Sequence, residues 1–122
     1  SDFQRITLGG RPFYEKVLQA AVSWNAKKNI GLVVGATHPE ELRPIRKLAP
    51  DMPILIPGIG KQGGDLESAV RYGCNKKGEL AIINASRSVI YASGGKDFAS
   101  AARKEATRLR NQILAYQEQY FA

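Results

Sequence analysis

The residues with most chemistry to offer stand in two loops, each behind a short apolar run. The first loop, Pro57-Gly58-Ile59-Gly60-Lys61-Gln62-Gly63-Gly64-Asp65, follows Ile54-Leu55-Ile56. Glycines there permit positive φ and let a ligand come close to the backbone. Free N–H groups at the end of such a loop, and at the helix that Asp65 opens, suit an anion, above all phosphate. The second loop, Asn84-Ala85-Ser86-Arg87-Ser88, follows Leu80-Ala81-Ile82-Ile83. Its Arg87 carries a planar fork of donors that matches phosphate oxygens. A glycine-rich loop by itself says little. Two such loops behind successive strands, the second with Ser and Arg, point to a phosphate site.

Other reactive types are scarce. His38 is the only histidine and Cys74 the only cysteine, so a histidine metal cluster, a Cys-rich zinc site, a Ser-His-Asp triad and an internal disulfide all lack partners. Neither a metal nor a cofactor is expected. His38 reads as a surface residue near a helix start and Cys74 as an inert thiol near a helix end. Lys61 reads as a solvent-facing residue whose charge could steer a phosphate. Asp65 is most simply an N-cap. Trp24 and the tyrosines of the last helix fit core or rim packing.

The net charge of +7 raises the question of nucleic acid. Basic residues are spread along the chain, with a mild concentration at Lys96, Arg103, Lys104, Arg108 and Arg110. They read as a solvated helix face, and no nucleic-acid partner is expected. No apolar run approaches the ~20 residues that span a bilayer. The single cysteine fits a reducing cytoplasm. The only methionine, Met52, is internal, which suggests a processed product or a piece of something longer.

The elements that must position the two loops follow from periodicity. Residues 1–10 read as a polar loop ending in Gly9-Gly10. A helix then opens at Pro12, with Phe13, Val17, Ala21 and Trp24 on one face, and stops near Asn25. The unbroken apolar run over residues 30–35 predicts a strand covered on both faces. Thr37 with Glu40 predicts a capping box for a helix whose buried stripe is Leu42 and Ile45, ended by Pro50. Residues 54–56 form the second strand, followed by a helix with Leu66, Ala69 and Val70 inward, closing at Gly73. Asn75-Lys76-Lys77-Gly78 is a turn, and residues 80–83 form the third strand. The last helix carries Phe98, Ala102, Ala106, Leu109, Ile113, Tyr116 and Tyr120 at spacings of four and three. The chain is thus α/β: a preceding helix and three parallel βα units, without a linker or domain boundary.

Parallel βα units close as an open sheet or as an eight-stranded barrel. In barrels the loops after the last two strands commonly make the phosphate site, as these two loops would. Three strands cannot close a barrel, so the chain is either an open three-layer domain or the C-terminal part of a (β/α)8 TIM barrel, residues 1–122 forming one partial domain.

Certain segments carry a closer likeness: Val33-Val34-Gly35-Ala36-Thr37, Pro39-Glu40, Leu48-Ala49-Pro50-Asp51-Met52-Pro53, residues 56–65, and Asn84-Ala85-Ser86-Arg87. In this order they resemble orotidine 5′-phosphate decarboxylase, most closely its longer bacterial subgroup. The resemblance runs from about Gly10-Arg11-Pro12 to Tyr91-Ala92. It implies the last three-eighths of the barrel of an enzyme that converts orotidine monophosphate to UMP and carbon dioxide. The family needs no metal or organic cofactor and usually works as a homodimer. By matching, Gln62 resembles the glutamine that bridges the phosphate and pyrimidine ends of the ligand, with Gly63 beside it. Arg87 resembles the phosphate-clamping arginine, and Ser86 takes the place of a glycine whose N–H also reaches the phosphate. Pro57, Gly58, Ile59 and Gly60 match the loop that lies along the nucleotide. The family's catalytic Asp-x-Lys-x-x-Asp array is absent, since none of the nine lysines has an Asp two residues before it. No catalytic residue is therefore expected in this chain. The alternative to a C-terminal portion of the decarboxylase is a stand-alone phosphate- or nucleotide-binding module.

Overall fold

The structure, a computed structural model, describes residues 6–36, 39–59 and 65–122. It begins with a small hairpin, β1 (Thr7–Leu8) against β2 (Arg11–Pro12), where a polar loop was expected. Gly9 and Gly10 turn the corner at φ of 59° and 77°, angles that tight hairpins demand and glycine supplies without strain. Helix α1 (Phe13–Trp24) follows directly, with Pro12 as its N-cap, and passes into a 3-10 turn over Asn25–Lys27.

Three parallel strands then stand side by side in chain order: β3 (Leu32–Val33), β4 (Ile54–Pro57) and β5 (Ala81–Asn84). Helix α2 (Pro39–Leu48) connects the first pair and α3 (Leu66–Gly73) the second. The register places Leu32, Ile54 and Ala81 in one row and Val33, Leu55 and Ile82 in the next. The short helix α4 (Arg87–Ile90) and the long α5 (Phe98–Phe121) complete the chain, α5 packing on α3 and α4. The expected three βα units are all present.

Side chains alternate across a strand, and here the two faces of the sheet differ. On one, Ile54 and Ile56 are fully buried and Leu32, Val34, Ala81 and Ile83 pack around them. Leu42 and Ile45 of α2, Ala69 of α3 and Leu18 of α1 close this core from the helix side. Burying one such large aliphatic side chain contributes about 1.5–3 kcal/mol. On the other face Val33 is 71% exposed and Ile82 54%. The first strand was expected to be covered on both faces, and it is covered on one. It is also shorter than the apolar run. The Ile30 N–H is taken by the Asn25 side chain at 3.0 Å, so pairing starts only with Leu32 donating to Pro53 at 2.9 Å. Val34 and Ala36 continue the ladder to Leu55 and Pro57 beyond the regular strand.

Other expectations need correction for the same reason: too little chain covers some faces. Helix α1 turns Leu18, Tyr14 and Ala21 to the core, whereas Phe13, Val17 and Trp24 of the expected face are exposed, Trp24 by 71%. The helix is apolar on two faces, and only one meets α2. On α5, Leu109 is buried while Phe98 and Ala106 are exposed. The third strand is shifted by one residue, because Leu80 takes a φ of 66° ahead of it. The basic residues of α5 and its approach do lie on the exposed side as expected. Asp65 caps α3, accepting from the Glu67 N–H at 3.0 Å. The turn after α3 is held by the Asn75 side chain, which accepts from Lys77 and Glu79. Thr37, proposed to cap α2, and His38 lie outside the described residues.

One contact was not foreseen. Arg46 of α2 is only 8% exposed, and its guanidinium donates to five carbonyls. Nε reaches Gly73 at 2.8 Å; Nη1 reaches Ala49 at 2.9 Å, Pro50 at 3.3 Å and Met52 at 2.6 Å; Nη2 reaches Leu80 at 3.0 Å. Burial lowers its pKa from the usual arginine range, yet a guanidinium keeps its proton in proteins. Arg46→Met should retain much of the aliphatic stem while stripping the donors from these carbonyls. At roughly 1–3 kcal/mol for a buried group left unsatisfied, a loss of about 3 kcal/mol or more is expected. Urea unfolding should show this as a lower midpoint at unchanged slope; a midpoint equal to the parent's would remove this role from Arg46.

Candidate functional site

The parity that leaves Val33, Leu55 and Ile82 on the uncovered face also places Pro57 and Asn84 on it, paired at the C-terminal ends of β4 and β5. Beyond that edge the chain turns at Gly58, whose φ of 98° excludes a side chain without strain, and at Ala85-Ser86 before α4. A cleft of about 180 Å³ opens there, lined by Pro57, Gly58, Ile59, Asn84, Ser86, Arg87 and Ser88. The two loops singled out in the sequence thus share one cleft at the carboxyl ends of parallel strands. Ligands of α/β proteins commonly bind at this edge.

Among the described residues that line the cleft Arg87 is the one that carries a charge, and none is a carboxylate. Among the described residues no ion pair ties up its guanidinium. The sequence placed Arg87 in a loop, but it is the first residue of α4, with Ser86 as N-cap. The backbone of Ser86, at φ −98° and ψ −67°, lies in a region open to any L-residue, so a serine in the glycine's place carries no strain. Within this turn the Val89 and Ile90 N–H groups both donate to the Ser86 carbonyl, at 3.2 and 2.8 Å. Ile59 is buried at the cleft's base.

Of the expected site residues, Pro57, Gly58, Ile59, Ser86 and Arg87 are brought together. Gly60, Gln62 and Gly63 lie outside the described residues, as does Lys61. Asn84 and Ser88 line the cleft without having been singled out for it. Asn84 was legible: two residues after Ile82 on a strand, it must share that residue's face. Ser88 needed the helical turn of α4, which a four-residue segment does not announce by periodicity. The lone thiol is not part of the site. Cys74 is buried at the end of α3, and burial pushes its pKa up, which favours the unreactive thiol. Among the described residues no helix is long and apolar enough to cross a membrane.

Comparison with known proteins agrees with this geometry. The sequence model described as "Orotidine 5'-phosphate decarboxylase / HUMPS family" matches residues 3–104. Orotidine 5'-phosphate decarboxylase of Azoarcus sp. is 49% identical over 117 residues, 95% of this chain and 43% of the relative. That of Dehalococcoides mccartyi is 48% identical over 124 residues, 98% of this chain and 46% of the relative. The chain therefore spans less than half the length of the curated relatives it matches. Among solved structures, Leishmania donovani UMP synthase superposes with a TM-score of 0.80 at 38% identity, covering 95% of this chain and 25% of that one. Leishmania donovani OMP decarboxylase gives 0.77 at 35% identity, covering 95% and 43%. The three parallel βα units are those of a TIM barrel, in part rather than whole. With its phosphate-type loops at the strand ends and a family match over most of its length, the chain belongs to the orotidine 5'-phosphate decarboxylase / HUMPS family.

Proposed function

We propose that this chain is the phosphate-gripping C-terminal portion of an orotidine 5′-phosphate decarboxylase, which converts orotidine monophosphate to UMP and carbon dioxide. The observation that carries this reading is the shared cleft of the two loops, with Arg87 as the one charge among its described lining residues. A nucleotide's phosphate would lie between the first turn of α4 and the Gly58 loop, with Arg87 donating to its oxygens. Gln62, beside Gly63, would reach from the phosphate to the pyrimidine ring. Pro57, Gly58, Ile59 and Gly60 would lie along the nucleotide. Arg87→Ala should weaken UMP by roughly 1.5–3 kcal/mol, the scale of a hydrogen bond to a charged group. Uridine, which has no phosphate, should lose far less; calorimetry showing equal losses for both counts against the assignment.

The division of labour follows from what the sequence lacks. Decarboxylation leaves a carbanion that must be stabilised by preorganised charge and then protonated. No Asp-x-Lys-x-x-Asp array is present to do either. Binding energy at a remote phosphate accelerates a reaction only where groups at the reacting end can use it. The purified 122-residue chain should therefore bring about no loss of orotidine monophosphate absorbance. Co-expression with the barrel segment that carries the array should restore turnover. Activity in the rigorously purified chain alone would mean that the catalytic groups have been assigned to the wrong stretch. The absence of the array also keeps a second reading alive, a phosphate- or nucleotide-binding module without catalysis, which complementation separates from the first.

Association is part of the proposal. Val33 and Ile82 leave an apolar sheet face open, and β3 and β5 are both edge strands. Such surfaces recruit partners, so the chain should form homodimers or larger assemblies, or dock onto the remainder of a barrel. Sedimentation at high concentration tests this: a single monomeric species would defeat it.

A further inference from the structure

One polar atom of a residue that lines the cleft stands without a partner. Ser88 Oγ is buried and has no hydrogen-bond partner among the described residues, although Ser88 lines the cleft with Arg87. Buried hydroxyls are nearly always satisfied, so an exception calls for a cause. Packing does not provide one. Position 88 is inside a short helix, where alanine would serve the backbone better and bury no polar group. A hydroxyl held this way costs the folded chain stability for as long as nothing accepts its proton.

The surroundings limit what the acceptor can be. Among the described residues that line the cleft Arg87 is the sole charge and none is a carboxylate, with Asn84 and Ser86 as further polar residues. A cation would find no counter-charge there. An oxyanion would find a guanidinium on one side and the serine on the same helical turn. Ser88 itself lines the cleft, so a change of side-chain torsion is the movement by which its hydroxyl would reach an anion held there. A serine side chain has one such torsion, with three staggered positions.

We infer that Ser88 is an additional anion-binding residue, whose hydroxyl turns into the cleft and donates to a phosphate oxygen beside Arg87. The inference rests on the phosphate reading of the cleft and adds a neutral donor to it. It gives the orphaned hydroxyl a function: the unmet hydrogen bond in the unliganded chain becomes a met one on binding, which adds to the affinity for phosphate. It also separates phosphate esters from nucleosides, which offer the hydroxyl no acceptor at that position.

The test measures binding of inorganic phosphate, UMP and uridine to the 122-residue chain, together with its thermal stability, in the parent and in Arg87→Ala, Ser88→Ala and Ser88→Thr. Ser88→Ala should weaken phosphate and UMP about five- to tenfold, the effect of one net hydrogen bond, and leave uridine within about twofold. It should also raise the melting temperature without ligand, since the orphaned group is gone. Ser88→Thr, which keeps a hydroxyl, should bind within about twofold of the parent. Loss in both serine variants, or in neither, overturns the inference. Weakening in Arg87→Ala with Ser88→Ala unchanged refutes the role of Ser88 alone. A parent chain that binds neither phosphate nor UMP refutes the phosphate reading, and Ser88 with it.

Discussion

The architecture depends on where the Arg46 guanidinium sits. Parallel βα units bring helix C-termini and strand beginnings to the same edge of the sheet, and both present carbonyls with room for a further donor. Here the end of α3 at Gly73, the turn after α2 at Ala49 and Met52, and Leu80 ahead of β5 all converge on one cation. The arrangement satisfies buried acceptors and also places positive charge at helix C-termini, where the macrodipole favours it. Its location matters for the site. Arg46 secures the edge at which the strands begin, opposite the edge at which the cleft opens. The cleft can then be built from loops and a single helical turn, because the strands that carry those loops are fixed from the other end.

The second constraint is the long helix α5, which is attached at several points. It packs on α4, the helix that carries Arg87 and Ser88. Towards its end, Gln117 donates to the Gly78 carbonyl at 2.6 Å, and Tyr120 hydrogen-bonds Glu67 of α3. The Arg71 guanidinium stands 4.9 Å from the Tyr120 ring and 5.3 Å from that of Tyr72, within the range of cation–π attraction. Helix α4 has too few residues to be stable on its own. It persists because α5 packs against it, so the geometry of Arg87 relies on contacts made well away from the cleft.

Much of this was legible in the sequence, and what was missed has physical causes. The βα rhythm, the Asp65 cap, the buried stripe of Leu42 and Ile45 and the pairing of the two loops all follow from local pattern and from the period of each element. Arg46 was not legible, because an arginine within Leu42-Arg43-Pro44-Ile45-Arg46-Lys47 looks like any solvated helix residue until the carbonyls around it are assembled. The choice of face on α1 was missed because Tyr14, Leu18 and Ala21 compete with Phe13, Val17 and Trp24, and only the neighbouring helix decides between them. Full coverage of β3 was expected from its composition, which is that of a strand inside a closed barrel. The composition fits such a barrel; these 122 residues include one layer over one face of the sheet.

That single-sided sheet has a thermodynamic consequence. A face on which Val33 and Ile82 are exposed links folding to association wherever a partner covers it. Whatever covers the face binds the folded chain and not the unfolded one, and so adds RT ln(1 + [L]/Kd) to its stability. The stability of these residues is then not a fixed property of their sequence. It depends on concentration and on the company the chain keeps, and the midpoint of any unfolding curve should move with both.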